Sequence, residues 1–164
     1  MKNYVISILV ENHAGVLSRV SGLFSRRGYN IDSLTVCATK DSNKSRMTIV
    51  VKGDEYIVEQ ITKQLSKLVE VIAIQHCENK TTCEREMALV KVKASDETRS
   101  AITSICTIFR SHIVDVSIGS LIVEATGSEE KLASLIRLLE PYGILEFAKT
   151  GLTAMERGES VLGK

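Results

Sequence analysis

Between an apolar run that ends at Val10 and another that begins at Ile31, the chain reads "ENHAGVLSRVSGLFSRRGYN". Asn12 and Asn30 bracket this segment, and Gly15 stands where an amphipathic pattern begins. The chemistry these residue types suggest is anion binding. A helix that starts near Gly15 leaves the backbone N–H groups of Gly15, Val16 and Leu17 without intrahelical partners. Those groups carry partial positive charge and suit a carboxylate. A glycine there lets a ligand come close to the backbone, and the Asn12 amide can donate or accept at the same place. His13 is the one side chain of the turn that could serve as a base. A solvent-exposed turn residue is the simpler reading of it.

Asn30 lies at the far end of that helix. A helix of ~12 residues separates its ends by about 18 Å, so one chain cannot easily bring Asn30 to its own Gly15. A neighbouring chain can. If the strand after the helix is a sheet edge and pairs with its two-fold mate, Asn30 of one chain faces the turn of the other. The result is an interface pocket for a small zwitterion. On spacing alone a plainer arrangement also stands: an ordinary turn at Asn12 and Gly15, with Asn30 capping the helix end.

Other constellations are weaker. Four cysteines, Cys37, Cys77, Cys83 and Cys106, form no C-x-x-C and match no zinc spacing. They read as free thiols in a reducing compartment. His76, Cys77 and Cys83 are the only candidates for a metal cluster, and they lack a fourth ligand nearby. His112 follows a helix C-terminus, where a protonated imidazole is favoured by the dipole. Neither G-x-x-x-x-G-K-[ST] nor G-x-G-x-x-G occurs.

These residues must be positioned by regular elements. "YVISILV" (4–10) reads as a buried strand. Over 16–27, Val16, Leu17, Val20, Leu23 and Phe24 take one face of a 3.6-residue period, and Gly28 supplies the C-cap. Residues 30–39 read as a strand. "RMTIVVK" alternates Met47, Ile49 and Val51 on one face. Asp54 caps a helix that carries Ile57, Val58, Ile61, Leu65 and Leu68, and 69–76 is a fourth strand. After a polar stretch the order repeats. "VVKGDE" is echoed by "VEATGSE", each a strand ending in glycine before a capping residue and a glutamate. Pro141 stops the last helix.

The expectation is an α+β chain of two ferredoxin-like β-α-β-β-α-β domains, each an antiparallel sheet with two helices on one face. The boundaries are 1–77, a linker at 78–86, a second domain at 87–150 and a mobile tail at 151–164. The fold alone decides no function. RNA recognition through strand aromatics is disfavoured, because "RMTIVVK" has none and aromatics make up 4% of the chain. Acyl-phosphate hydrolysis is disfavoured because "ENHAG" contains no arginine. A net charge of +1 argues against general polyanion binding. No apolar run approaches the ~18 residues of a membrane span, and the N-terminus lacks a signal-peptide layout. The reading is cytoplasmic, with no nucleic-acid or membrane partner.

The pattern "E-N-x-x-G-x-L-S-R-V-x-G-L-F-S-x-R-G-Y-N-I", with "SRMTIVV" after it, closely resembles the small regulatory subunits of acetohydroxyacid synthase (acetolactate synthase). The resemblance covers nearly the whole chain. It includes the "ERE-x-x-L-V-K-V" entry to the second half and a "G-x-x-A-x-x-R-G" ending on Gly151, Ala154, Arg157 and Gly158. The first half is similar to the ACT domain, a module that binds amino acids at dimer interfaces. The resemblance implies a non-catalytic chain that binds the large catalytic subunit, raises its activity and confers feedback inhibition by a branched-chain amino acid, usually valine. It maps the effector site onto Asn12, Gly15, Val16 and Leu17 of one chain with Asn30 and Ile31 of its homodimer mate. Thiamine diphosphate, FAD and magnesium are implied for the large subunit and none for this chain. The equivalent turn of the second half, "KASDET", lacks Asn and Gly, so one kind of effector site is expected, in the first half only. The alternative is a free-standing ACT-type amino-acid sensor without an enzyme partner.

Overall fold

The computed structural model describes residues 2–78 and 81–163. The chain divides into two compact units, Met1–Glu84 with Leu152–Lys164, and Arg85–Gly151.

The first unit follows the order β1 (Lys2–Glu11), α1 (Val16–Arg27), β2 (Ile31–Ala38), β3 (Lys44–Gly53), α2 (Glu55–Leu65) and β4 (Val71–Cys77). Its antiparallel sheet has the order β2-β3-β1-β4, so β2 and β4 are its edges. The period-2 pattern sets the register: Ile8 lies opposite Met47 and Ile6 opposite Ile49. These residues turn toward the helices with Val10 and Val51 and meet Val16, Val20, Leu23 and Phe24 of α1 and Val58, Ile61 and Leu65 of α2. A Phe or Leu side chain fully buried in this way is worth roughly 1.5–3 kcal/mol. The ends of α1 follow from glycine. Gly28 is left-handed at φ 69° and its N–H reaches the Phe24 and Ser25 carbonyls, which closes the helix as read from the sequence.

Leu17 departs from the expected pattern. The 3.6-residue period sets it on the apolar face, yet it is 44% exposed while Val16 is buried. Phe24, seven residues on and only about 20° away around the axis, is buried, so what sets Leu17 apart is its place in the first turn of α1 rather than its side of the helix.

The second unit contains the rest of β5 (Thr82–Lys93), then α3 (Asp96–Ile108), β6 (His112–Val116), β7 (Ser120–Gly127), α4 (Glu129–Leu139) and β8 (Ile144–Lys149). Its strand order, β6-β7-β5-β8, repeats that of the first sheet. Val90, Val92, Ile102, Leu121, Val123, Leu132, Leu135 and Leu139 form its core. Pro141 falls in a 3₁₀ turn, Glu140–Tyr142, directly after α4. The echoed segments start their helices alike: the Asp54 carboxylate accepts from the Ile57 N–H at 2.9 Å, and the Ser128 hydroxyl from the Lys131 N–H at 3.3 Å.

Two expectations are corrected. The stretch 78–86 is not all linker, because β5 starts at Thr82; Asn79 and Lys80 lie outside the described residues. Residues 151–163 are not a loose tail, and Lys164 lies outside the described residues. Thr153–Glu156 form a ninth strand, β9, which pairs with β5. It lies over the face of the first sheet that looks away from its helices. Ala154 is fully buried there with Val5, Val50 and Cys77. Its carbonyl accepts from Arg46 Nη2 at 2.7 Å, and the Ser33 hydroxyl accepts from the Leu152 N–H at 3.0 Å. The cause is the sheet itself. Val5, Val50 and Cys77 would otherwise lie in water, and burying them outweighs ordering a few residues.

Candidate functional site

The turn from β1 to α1 is built as the sequence suggests and for one further reason. Gly15 is the N-cap of α1 at φ 89°, ψ −16°. A Cβ there would meet nothing within 4 Å, so the demand for glycine is conformational and the space above it is open. No side chain caps this helix and its first turn holds no acidic residue. The Val16 N–H has a long bond, 3.4 Å, to the His13 carbonyl. Among the described residues, no hydrogen-bond acceptor serves the N–H groups of Gly15 and Leu17. The helix therefore presents its positive end to the outside, with the half-exposed Leu17 beside it.

Asn12 is partly committed. Its Nδ2 donates to the Ser42 carbonyl at 2.8 Å, and its backbone N–H donates to the Asn43 carbonyl at 2.7 Å. These bonds tie the turn to the β2–β3 hairpin loop, "KDSNKS". That loop has its own brace, since the Asp41 carboxylate accepts from the Asn43 N–H at 3.0 Å. This bond is the leading cause that holds the Asp41 carboxyl below its ordinary range. Among the described residues, the Asn12 Oδ1 accepts no hydrogen bond and is left for another partner. His13 is exposed and its Nδ1 lies 3.1 Å from the Ala14 carbonyl.

Asn30 does not cap α1. Its Nδ2 donates to Asp32 Oδ1 at 2.8 Å, and Asp32 Oδ2 pairs with Lys52 Nζ at 3.3 Å. A register shift between Ile31 and Ser33 frees Asp32 for this role. Ile31 is half-buried against the core. The structure thus gathers Asn12, Gly15, Val16 and Leu17 at one end of α1 and Asn30 and Ile31 at the other. Sequence reasoning missed Ser42 and Asp32, which aim the two asparagines. The spacing Asn30-x-Asp32 is the one signal that could have found the second of them.

The other candidates are dispersed. His76 Nε2 lies 2.9 Å from the Thr62 hydroxyl, and His112 lies 4.0 Å from the Glu124 carboxylate. All four cysteines are free; Cys77 and Cys106 are buried and Cys37 is exposed. Among the described residues, no three His, Cys, Asp or Glu side chains are arranged to hold a metal ion.

Comparison with known proteins decides the family. A family model described as an AHAS small subunit-like ACT domain matches residues 6–73. A second, for the small subunit of acetolactate synthase, matches residues 85–158. The acetolactate synthase small subunit of Mycolicibacterium smegmatis is 51% identical over 160 residues, which covers 98% of this chain and 94% of that protein.

The chain belongs to the acetolactate synthase small-subunit family.

A probable acetolactate synthase small subunit of Archaeoglobus fulgidus is also 51% identical, over 94% of this chain and 97% of its own. The crystal structure of the acetolactate synthase small subunit from Thermotoga maritima superposes with a TM-score of 0.91 at 41% identity, covering 98% of this chain and all of that one. Both units therefore have the ferredoxin-like fold expected from the repeated element order, and the ACT-domain model matches the first. No helix among the described residues is long and apolar enough to cross a membrane.

Proposed function

We propose that this small subunit is the non-catalytic regulatory chain of a cytoplasmic acetolactate synthase. It binds the large catalytic subunit, raises its activity, and confers feedback inhibition by a branched-chain amino acid, with valine as the first effector to test. Thiamine diphosphate, FAD and magnesium belong to the large subunit in this reading. The effector sits between the ACT domains of two copies, on Asn12, Gly15, Val16 and Leu17 of one and Asn30 and Ile31 of the other. The observation that carries the reading is the start of α1: an outward-facing helix N-terminus with no side-chain cap and a positive-φ glycine. An α-carboxylate answers its N–H groups. The ammonium meets Asn12 Oδ1 and the Asn30 amide oxygen, and the alkyl side chain packs on Leu17 and Ile31.

Two chains complete the pocket, so binding fixes the geometry of the pair. The effector shifts the enzyme only to the extent that it prefers one arrangement over the other. Coupling of about 1–3 kcal/mol is the usual scale.

Gly15→Asp tests this. It sets a carboxylate where the ligand's belongs. Valine should no longer inhibit the holoenzyme, and the heat of valine binding to the small subunit should vanish. Because φ 89° strains any L-residue, Asn30→Ala is the companion. Among the described residues, the exposed Asn30 side chain bonds only to Asp32, so folding should survive while valine affinity falls about tenfold or more. Wild-type valine affinity in both variants would overturn the assignment.

A further inference from the structure

The proposed effector turn is only four residues long; Asn12 ties its start to the β2–β3 loop, but its helix end carries no side-chain cap and is held from outside. Its two flanks lead to one residue outside the site. On the strand side, the Glu11 N–H donates to the Glu70 carbonyl at 2.9 Å. On the helix side, Arg19 Nη1 donates to the Glu70 carboxylate, and the Arg19 N–H donates to the Gly15 carbonyl at 2.9 Å. Glu70 sits in the connection between α2 and β4. Its main chain thus grips the last residue of β1 and its side chain grips the first turns of α1.

The burial of the pair is lopsided. The Glu70 side chain is 10% exposed and that of Arg19 is 65% exposed. A carboxylate taken out of water costs energy that one partly exposed partner returns only in part, so the pair is a poor source of stability. What it does supply is geometry. Together with the Asn12 bonds to the β2–β3 loop, the two Glu70 hydrogen bonds on the flanks set where the turn stands, and a site needs its groups placed to within about 0.5 Å.

We infer that Glu70 and Arg19 are positioning residues for effector binding: they set the β1–α1 turn so that the N–H groups at Gly15 and Leu17 meet the effector carboxylate. This rests on the effector site proposed above. The two residues touch no ligand in this reading and act only through the turn.

The test is valine titration by calorimetry on the full-length small subunit, with thermal unfolding recorded for every variant. Arg19→Gln and Glu70→Gln each remove the ion pair, and Gln at position 70 keeps the main-chain bond to Glu11. Each should raise the valine Kd about tenfold. The double variant should be no worse than either single one, because both break the same link. Arg19→Lys, which keeps the charge, should recover most of the affinity. Additive losses of affinity that follow the losses in Tm would mean a merely structural pair and overturn the inference. So would wild-type Kd values in both single variants when Gly15→Asp has lost valine binding. If Gly15→Asp also binds valine normally, the site itself is misplaced and the inference falls with it.

Discussion

The first helix of each unit begins in an opposite way. At α3, the Thr98 hydroxyl accepts from the Ser95 N–H at 2.9 Å, and Asp96 and Glu97 set negative charge in the first turn. That helix answers its own dipole. At α1, a left-handed glycine opens the helix with no cap and no acid. The folds match, so folding does not require the bare start, and the first unit keeps it at some cost in stability. The outer faces of the sheets differ too. The first is covered by the chain's own β9, with Ala154 fully buried. In the second, Leu89 remains 37% exposed, and its neighbour Ala148 is exposed.

The largest expected contrast is chemical. Cys37 is exposed on the edge strand of the first unit, and Cys106 is buried in the second. Burial pushes the Cys106 thiol above its ordinary pKa, so it is less ionised at any given pH and its thiolate must also be uncovered. Alkylation followed by mass spectrometry should modify Cys37 faster by about two orders of magnitude or more, as local opening of ~3 kcal/mol implies. Equal rates would mean that the second core is open.

Next comes Ala154→Leu. The site is closed by Arg46 and the sheet, so overpacking should lower the unfolding free energy by about 1–3 kcal/mol in urea. The same change at Ala148, on the open face, should stay within about 0.5 kcal/mol. A neutral Ala154→Leu would show that β9 does not seal the first sheet.

The smallest effect tests the helix starts. Thr98→Ala should cost about 1 kcal/mol of stability through the lost cap and leave the valine Kd of the small subunit unchanged. A weakened valine response in that variant would end the contrast between α1 and α3 as an account of where the effector goes.

Much of this was legible without coordinates. The limits of α1 followed from a 3.6-residue period and Gly28, and the alternation of Met47, Ile49 and Val51 oriented β3 correctly. The capping roles of Asp54 and Ser128 could be read because a cap is a contact between residues three apart. Leu17 departs from the pattern, since periodicity marks a side of the helix but not how far along its axis the core extends. The strand at Thr153–Glu156 escapes the sequence because four residues make too short a pattern. Their place is also set by Ser33, Arg46 and Ser7, more than a hundred residues away. Of the candidate site, the residue types of the turn were legible. What orients them was not, because Ser42 meets Asn12, and Glu70 meets Arg19, only after the sheet has formed.

By itself the sequence determined the repeated β-α-β-β-α-β order, the end of α1 at Gly28 and the glycine that opens it at Gly15. Each of these depends on neighbours within a few residues, and local sterics and hydrogen bonding act at that range. The tertiary structure alone decided that β9 covers the first sheet, that Leu17 stays half in water, and that one buried glutamate links both flanks of the turn. Those outcomes depend on which distant surfaces meet, and no local pattern records that.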